Sequence, residues 1–175
     1  MRKWLLVIFL MLGFYLDNTF FNLINLYGIR PDIELAMIVS LGVLIGSAPA
    51  AAIGFGLGLL ADIFFNKIVG LTALTYMLTG VFAGFFYRKF YADNLIIPTV
   101  TAAVAAFLKA HVFFMAALFA GAKPGYLLTL AAHILPCALL TGGAAALIHL
   151  VFKKALFRPL WRQAALKLDK DQHNG

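Results

Sequence analysis

Apolar residues in this chain run in long blocks broken by single polar or charged positions, with no regular apolar–polar alternation. Blocks of that length predict helices that cross a membrane. Punctuation by Gly, Pro and charge divides them into six candidate spans: Trp4–Leu26, Ile33–Ser47, Ala50–Phe65, Gly70–Tyr87, Leu95–Ala120 and Tyr126–Phe152. The connections are short, and Pro49 after Ala48 suits the first turn of a helix, where a missing N–H is no loss. The second and third spans fall short of the roughly 20 residues of a full crossing. Two tilted or shielded crossings are preferred to a re-entrant pair. The expected architecture is therefore an all-α integral membrane domain of about six helices over residues 1–152, with a basic tail over 153–175. In the tail, Leu156, Phe157, Leu160 and Trp161 interleave with Arg158 and Arg162. That mixture fits a short helix lying partly on anionic lipid, ending in a solvated stretch.

Composition supports the membrane reading. The chain of 175 residues is 63% apolar and 12% charged, with a mean hydropathy of +0.95. Soluble domains hold nearer half apolar and a quarter charged residues. The net charge of +7 would point to nucleic acid in a soluble protein, but here the basic residues are distributed as membrane orientation requires. With the amino terminus inside, Arg2, Lys3, Arg88, Lys89, Lys153, Lys154, Arg158, Arg162, Lys167 and Lys170 face the cytoplasm, while Arg30, Lys67 and Lys123 face outward. This asymmetry obeys the positive-inside rule and places both termini in the cytoplasm. No small-x-small cleavage site follows the first apolar block, so it reads as an uncleaved helix. Cys137 stands alone, which excludes an internal disulfide and fits a small core residue.

Motifs for chemistry are missing. There is no His-Glu-x-x-His pair, phosphate-binding Gly-rich loop or nucleophile elbow, and His111, His133, His149 and His173 lack ligand spacing. No catalytic residue, metal or cofactor is expected. Charges inside the spans are the stronger signal, because each is costly in hydrocarbon and is normally paired or wet. Asp17 and Lys109 fall near the middle of the first and fifth spans, which predicts a buried ion pair between them; snorkelling of Lys109 to an interface and a proton or substrate relay are weaker readings. Small residues recur every four positions at Ala50, Gly54 and Gly58, at Gly80 and Gly84, at Ala102, Ala106 and Ala110, and at Ala138, Gly142 and Ala146. Such strips let helix backbones approach closely, most simply within this chain. Asp62 lies one turn beyond Gly58, at an outer level shared with Arg30, Asp32, Glu34 and Lys67. A carboxylate in the last turn of a helix opposes the helix dipole and needs a cation or N–H partner. Arg30 and Lys67 are both candidates.

The stretch Pro31-Asp32-Ile33, the apolar run to Gly46, then "GFGLGLLADIF" and "VGLTALTYMLTG" resembles the rod shape-determining protein MreD family over residues 31 to 84. The resemblance implies a non-enzymatic membrane subunit of the bacterial cell-elongation machinery, which synthesises peptidoglycan in rod-shaped cells. Its implied partners are an MreC-like bitopic protein, an MreB-like filament, a RodA-like polymerase and a class B transpeptidase. It also implies the six-helix fold of substrate-binding subunits of energy-coupling-factor transporters. The motif positions that carry over are Pro31, Asp32, Gly54, Gly58, Asp62 and Gly70, none of them catalytic. In the first helix Asp17-Asn18 stands where the family pattern leads one to expect an uncharged polar residue. A scaffold reading expects no ligand-sized polar pocket. The rival reading, a vitamin-binding transporter subunit, expects a cavity open to the outside, with His133 and the outer charges as contacts.

Overall fold

The structure is a computed structural model that describes residues 3–20, 30–65, 69–87, 95–121 and 125–154. Lys67, the loops carrying Arg88, Lys89 and Lys123, and tail residues 155–175 lie outside the described residues. The described chain forms six helices. Helix α1 runs Lys3–Tyr15 and continues as a π-helical turn, Leu16–Phe20. It is followed by α2 (Ile33–Ile45), α3 (Ser47–Phe65), α4 (Leu71–Gly84) and α5 (Ile96–Phe119). Helix α6 spans residues 126–152, with a π-helical turn, Leu130–Ile134, between Tyr126–Thr129 and Leu135–Phe152.

The junction between the second and third spans differs from the sequence expectation. The turn between α2 and α3 is Gly46, not Ala48-Pro49. Gly46 takes φ 98°, which costs glycine little, and its N–H closes back on the Gly42 carbonyl. Helix α3 can then start at Ser47 and absorb Pro49 in its first turn, reaching 19 residues.

Helices α3, α5 and the 130–152 part of α6 are long and apolar enough to cross a membrane, whereas α1, α2 and α4 are shorter apolar helices. The 13 residues of α2 reach only about 20 Å. Its position explains the short length. Residues 35 to 41 are all buried, and α2 packs against each of the other five helices. A helix that is apolar on every face belongs in the centre of a bundle. The outer helices turn large apolar side chains outward: Phe55 and Ile63 on α3, Val104 and Leu108 on α5, Leu139 and Leu147 on α6. An apolar exterior of this kind suits lipid.

The helices alternate in direction. Gly13 lies against Met37 while Asp17, a turn further on, faces Ile33 and Glu34, so α1 and α2 are antiparallel. Gly54 approaches Tyr76, Gly58 approaches Ala73, and Gly80 approaches Ala50, so each step forward on α3 meets a step back on α4. Gly142 of α6 lies against Thr99 and Ala103 of α5, while Phe114 of α5 meets Tyr126 at the start of α6, so these two are also antiparallel. Phe9 on α1 touches Phe152 at the end of α6, with ring centroids 5.6 Å apart. The first and last described helices therefore begin and end on the same side of the bundle. The described carboxylates, Asp17, Asp32, Glu34 and Asp62, lie towards the other side.

Candidate functional site

The chain enters α2 through Pro31-Asp32. Asp32 is the N-cap, its Oδ1 accepting the Leu35 N–H at 2.9 Å. An N-cap carboxylate satisfies one orphan donor of the first turn and lies at the positive end of the helix dipole. The same side chain is also the hub of the site. Its Oδ1 accepts the Tyr76 hydroxyl of α4 at 2.8 Å, and its Oδ2 accepts the Lys109 ammonium of α5 at 2.5 Å. Lys109 also donates to the Tyr76 oxygen at 3.1 Å and lies 4.4 Å from the centre of that ring, a cation–π distance. The Asp32 backbone N–H donates to the Thr141 hydroxyl of α6 at 3.0 Å. One residue thus ties together α2, α4, α5 and α6.

This geometry corrects the expected ion pair. Lys109 is paired with Asp32, not with Asp17. Asp17 sits in the π-helical turn at the described end of α1, where its two oxygens face the Ile33 and Glu34 N–H groups at 3.3 and 3.5 Å. Both carboxylates approach the open N-terminus of α2, and Asp32, held at the N-cap, is the one within reach of the ammonium. Sequence depth alone could not rank the two, because Asp32 lies outside the apolar run of its span.

The expected outer rim is corrected in part. Glu34 is only 1% exposed and is no rim residue. Its Oε1 accepts the Asn18 amide of α1, and its Oε2 is buried without a hydrogen-bond partner among the described residues. A residue in the first turn of a fully enclosed helix has no solvent to face. Arg30 is exposed, and its backbone N–H points at the Cys137 sulfur 3.4 Å away, so Cys137 is half-buried between helix and cavity.

Asp62 is completely buried. Its Oδ2 accepts N–H groups of Gly70, Thr72 and Ala73 at 2.8, 3.0 and 3.1 Å. Of the two partner types expected, the structure shows the N–H type. Gly70 stands at the N-cap of α4 with φ 99° and has no side chain to offer, so Asp62 caps α4 from the preceding helix. The glycines bring it within range. A Cβ on Gly58 would lie 2.6 Å from the Ala73 Cα, and one on Gly54 would lie 2.6 Å from the Tyr76 carbonyl oxygen. The neighbour for this small-residue strip is α4 of the same chain.

The cluster borders a cavity of about 260 Å³, lined among others by Asp17, Asn18, Arg30, Asp32, Tyr76 and Lys109. That volume lies just below the roughly 300–1,000 Å³ of typical small-molecule sites. The scaffold reading expects no ligand-sized polar pocket; a polar cavity does lie beside Asp32, below that size range. His133 is exposed and not among the residues lining the cavity, contrary to the transporter reading. Tyr76 and Thr141 were missed as site residues. Tyr76 was legible as a hydroxyl-bearing ring in an otherwise apolar helix, whereas Thr141 resembles many membrane-helix threonines.

The family model described as rod shape-determining protein MreD matches residues 1–158 of the chain. Neither a curated protein nor a solved structure matches it.

Proposed function

The chain belongs to the rod shape-determining MreD family, and on that premise we propose that it is a non-enzymatic scaffold subunit of the machinery that elongates the bacterial cell wall. Membership gives the role in rod shape determination. The finer reading is that the protein acts through helix-face contacts with other membrane proteins: an MreC-like bitopic protein, an MreB-like filament, a RodA-like polymerase and a class B transpeptidase. The observation that carries it is how the charged residues are used. Asp62 caps α4, Asp32 caps α2 and holds Lys109, and Asp17 faces the first N–H groups of α2. These carboxylates hold helices together, in a bundle whose exterior is apolar.

The proposed location is the bacterial cytoplasmic membrane, crossed several times with both termini inside. The excess of basic residues on the terminal side and the contact between Phe9 and Phe152 support that orientation. Anionic lipid is the proposed partner of the basic tail. The energy-coupling-factor fold and a vitamin-binding role form the second reading, favoured by the polar cavity alone. Depletion of the protein followed by microscopy and affinity purification tests the first reading. The expected result is rounding and widening of the cells, with an MreC-like protein recovered on purification. Cells that keep their rod form and width would overturn it. A vitamin-sized molecule retained through purification would favour the second reading.

A further inference from the structure

Lys109 lies where two spaces of opposite character meet. On one side is the polar cavity of about 260 Å³, bordered by Asp17, Arg30, Asp32 and Tyr76. On the other is a groove of about 790 Å³ between α4 and α5, walled by Leu78, Phe82, Val104 and Leu108. Lys109 borders both. All four of the groove side chains are exposed, so in a membrane the groove opens to hydrocarbon. The cavity carries charges of both signs. A molecule complementary to the pair has a hydrocarbon tail and a zwitterionic head.

The polar groups define the head further. An ammonium carries three N–H donors, and Asp32 and Tyr76 accept two from Lys109. The third is available to an anionic oxygen. Among the described residues Asp17 receives only the two long N–H contacts, at 3.3 and 3.5 Å, and makes no ion pair. Its remaining lone pairs suit a strong donor such as a primary ammonium. We propose that the Lys109 junction binds a membrane phospholipid with a primary-amine head group. The phosphate lies at Lys109, the ammonium at Asp17, and one acyl chain in the α4–α5 groove. This site is independent of the scaffold role, which can stand without it.

The test is lipid retention. The full chain is placed in nanodiscs holding equal parts of ethanolamine, choline and glycerol phospholipids with identical acyl chains, re-extracted in mild detergent, and its bound lipid is counted by native mass spectrometry. Wild-type protein is expected to keep the ethanolamine lipid roughly tenfold over the choline lipid, because methylation removes the ammonium donors. Asp17→Asn should bring that ratio close to one. Val104→Trp, on the groove wall and away from the charges, should lower retention of every head group. Water-soluble phosphoethanolamine should compete poorly, since it lacks the chain. Equal retention of the three lipids by wild-type protein, preference for the glycerol head, or full displacement by phosphoethanolamine would each overturn the proposal. If Asp17→Asn fails to fold, the wild-type head-group ratio and Val104→Trp still decide.

Discussion

Helix α4 meets its two flanking neighbours in opposite ways. Against α3 it closes a seam of small residues, with Gly54, Gly58, Gly80 and Gly84 bringing backbone against backbone and Asp62 fastening one end. Against α5 it leaves a groove, bridged where Lys109 reaches Tyr76 and Asp32. In lipid the hydrophobic effect gives helices no reason to associate, and dispersion contacts and polar ties must do so. The first seam is closed by shape. The second has bulky side chains on both walls and is held by charge. Substitutions that act on shape should therefore damage one seam, and substitutions that act on charge the other.

The largest effect is expected at the charged tie. Lys109→Met should cost about 3–4 kcal/mol, because it leaves the Asp32 carboxylate without its cation in a low-dielectric site. The double variant Asp32→Asn/Lys109→Met should recover most of that loss. Reversible unfolding in mixed micelles measures both, and a double variant as unstable as Lys109→Met would break the idea of a charge-held seam. Gly58→Val should cost about 2–3 kcal/mol by overpacking, since the new side chain meets the α4 backbone, which cannot rotate away as a side chain could. Unfolding in the same micelles checks it, and an unchanged midpoint would show that the hairpin is not closed by shape. Asp62→Asn should cost about 1–2 kcal/mol, because the amide keeps one acceptor but loses the charge that favours the α4 N-terminus. Hydrogen exchange at Thr72 and Ala73 should quicken, and unchanged exchange there would remove Asp62 as the cap. The smallest effect belongs to Gly56, on the exposed face of α3, where a Cβ would meet nothing within 4 Å. Gly56→Ala should stay within about 0.5 kcal/mol of wild type by the same unfolding assay. A large loss there would mean that glycine acts through helix flexibility in general and not through the close seam.

Much of this was legible in one dimension. The apolar blocks announced a membrane bundle, because backbone groups in hydrocarbon must be satisfied within helices. The four-residue recurrence of Gly54 and Gly58 announced a close-packing face, because that spacing stacks positions on one side of a helix. Asp62, in a last turn, announced a need for donors. These are local properties, set by composition and helical period.

Partner choice was not local. Depth along the spans matched Asp17 to Lys109, yet the ammonium went to Asp32, whose N-cap position brings it beside Tyr76 and within reach of α5. Glu34 read as a rim residue and is buried, because α2 is enclosed by all five other helices. The turn at Gly46 displaced the one expected at Pro49, because a positive φ at a single glycine reverses the chain more tightly than a proline that the following helix can absorb. The sequence by itself determined which residues would be helical, which faces could approach closely and which charges needed partners. Only the tertiary structure decided which partners they took, since an ion pair depends on a few ångströms across helices whose order and tilt are set by the packing of the whole bundle.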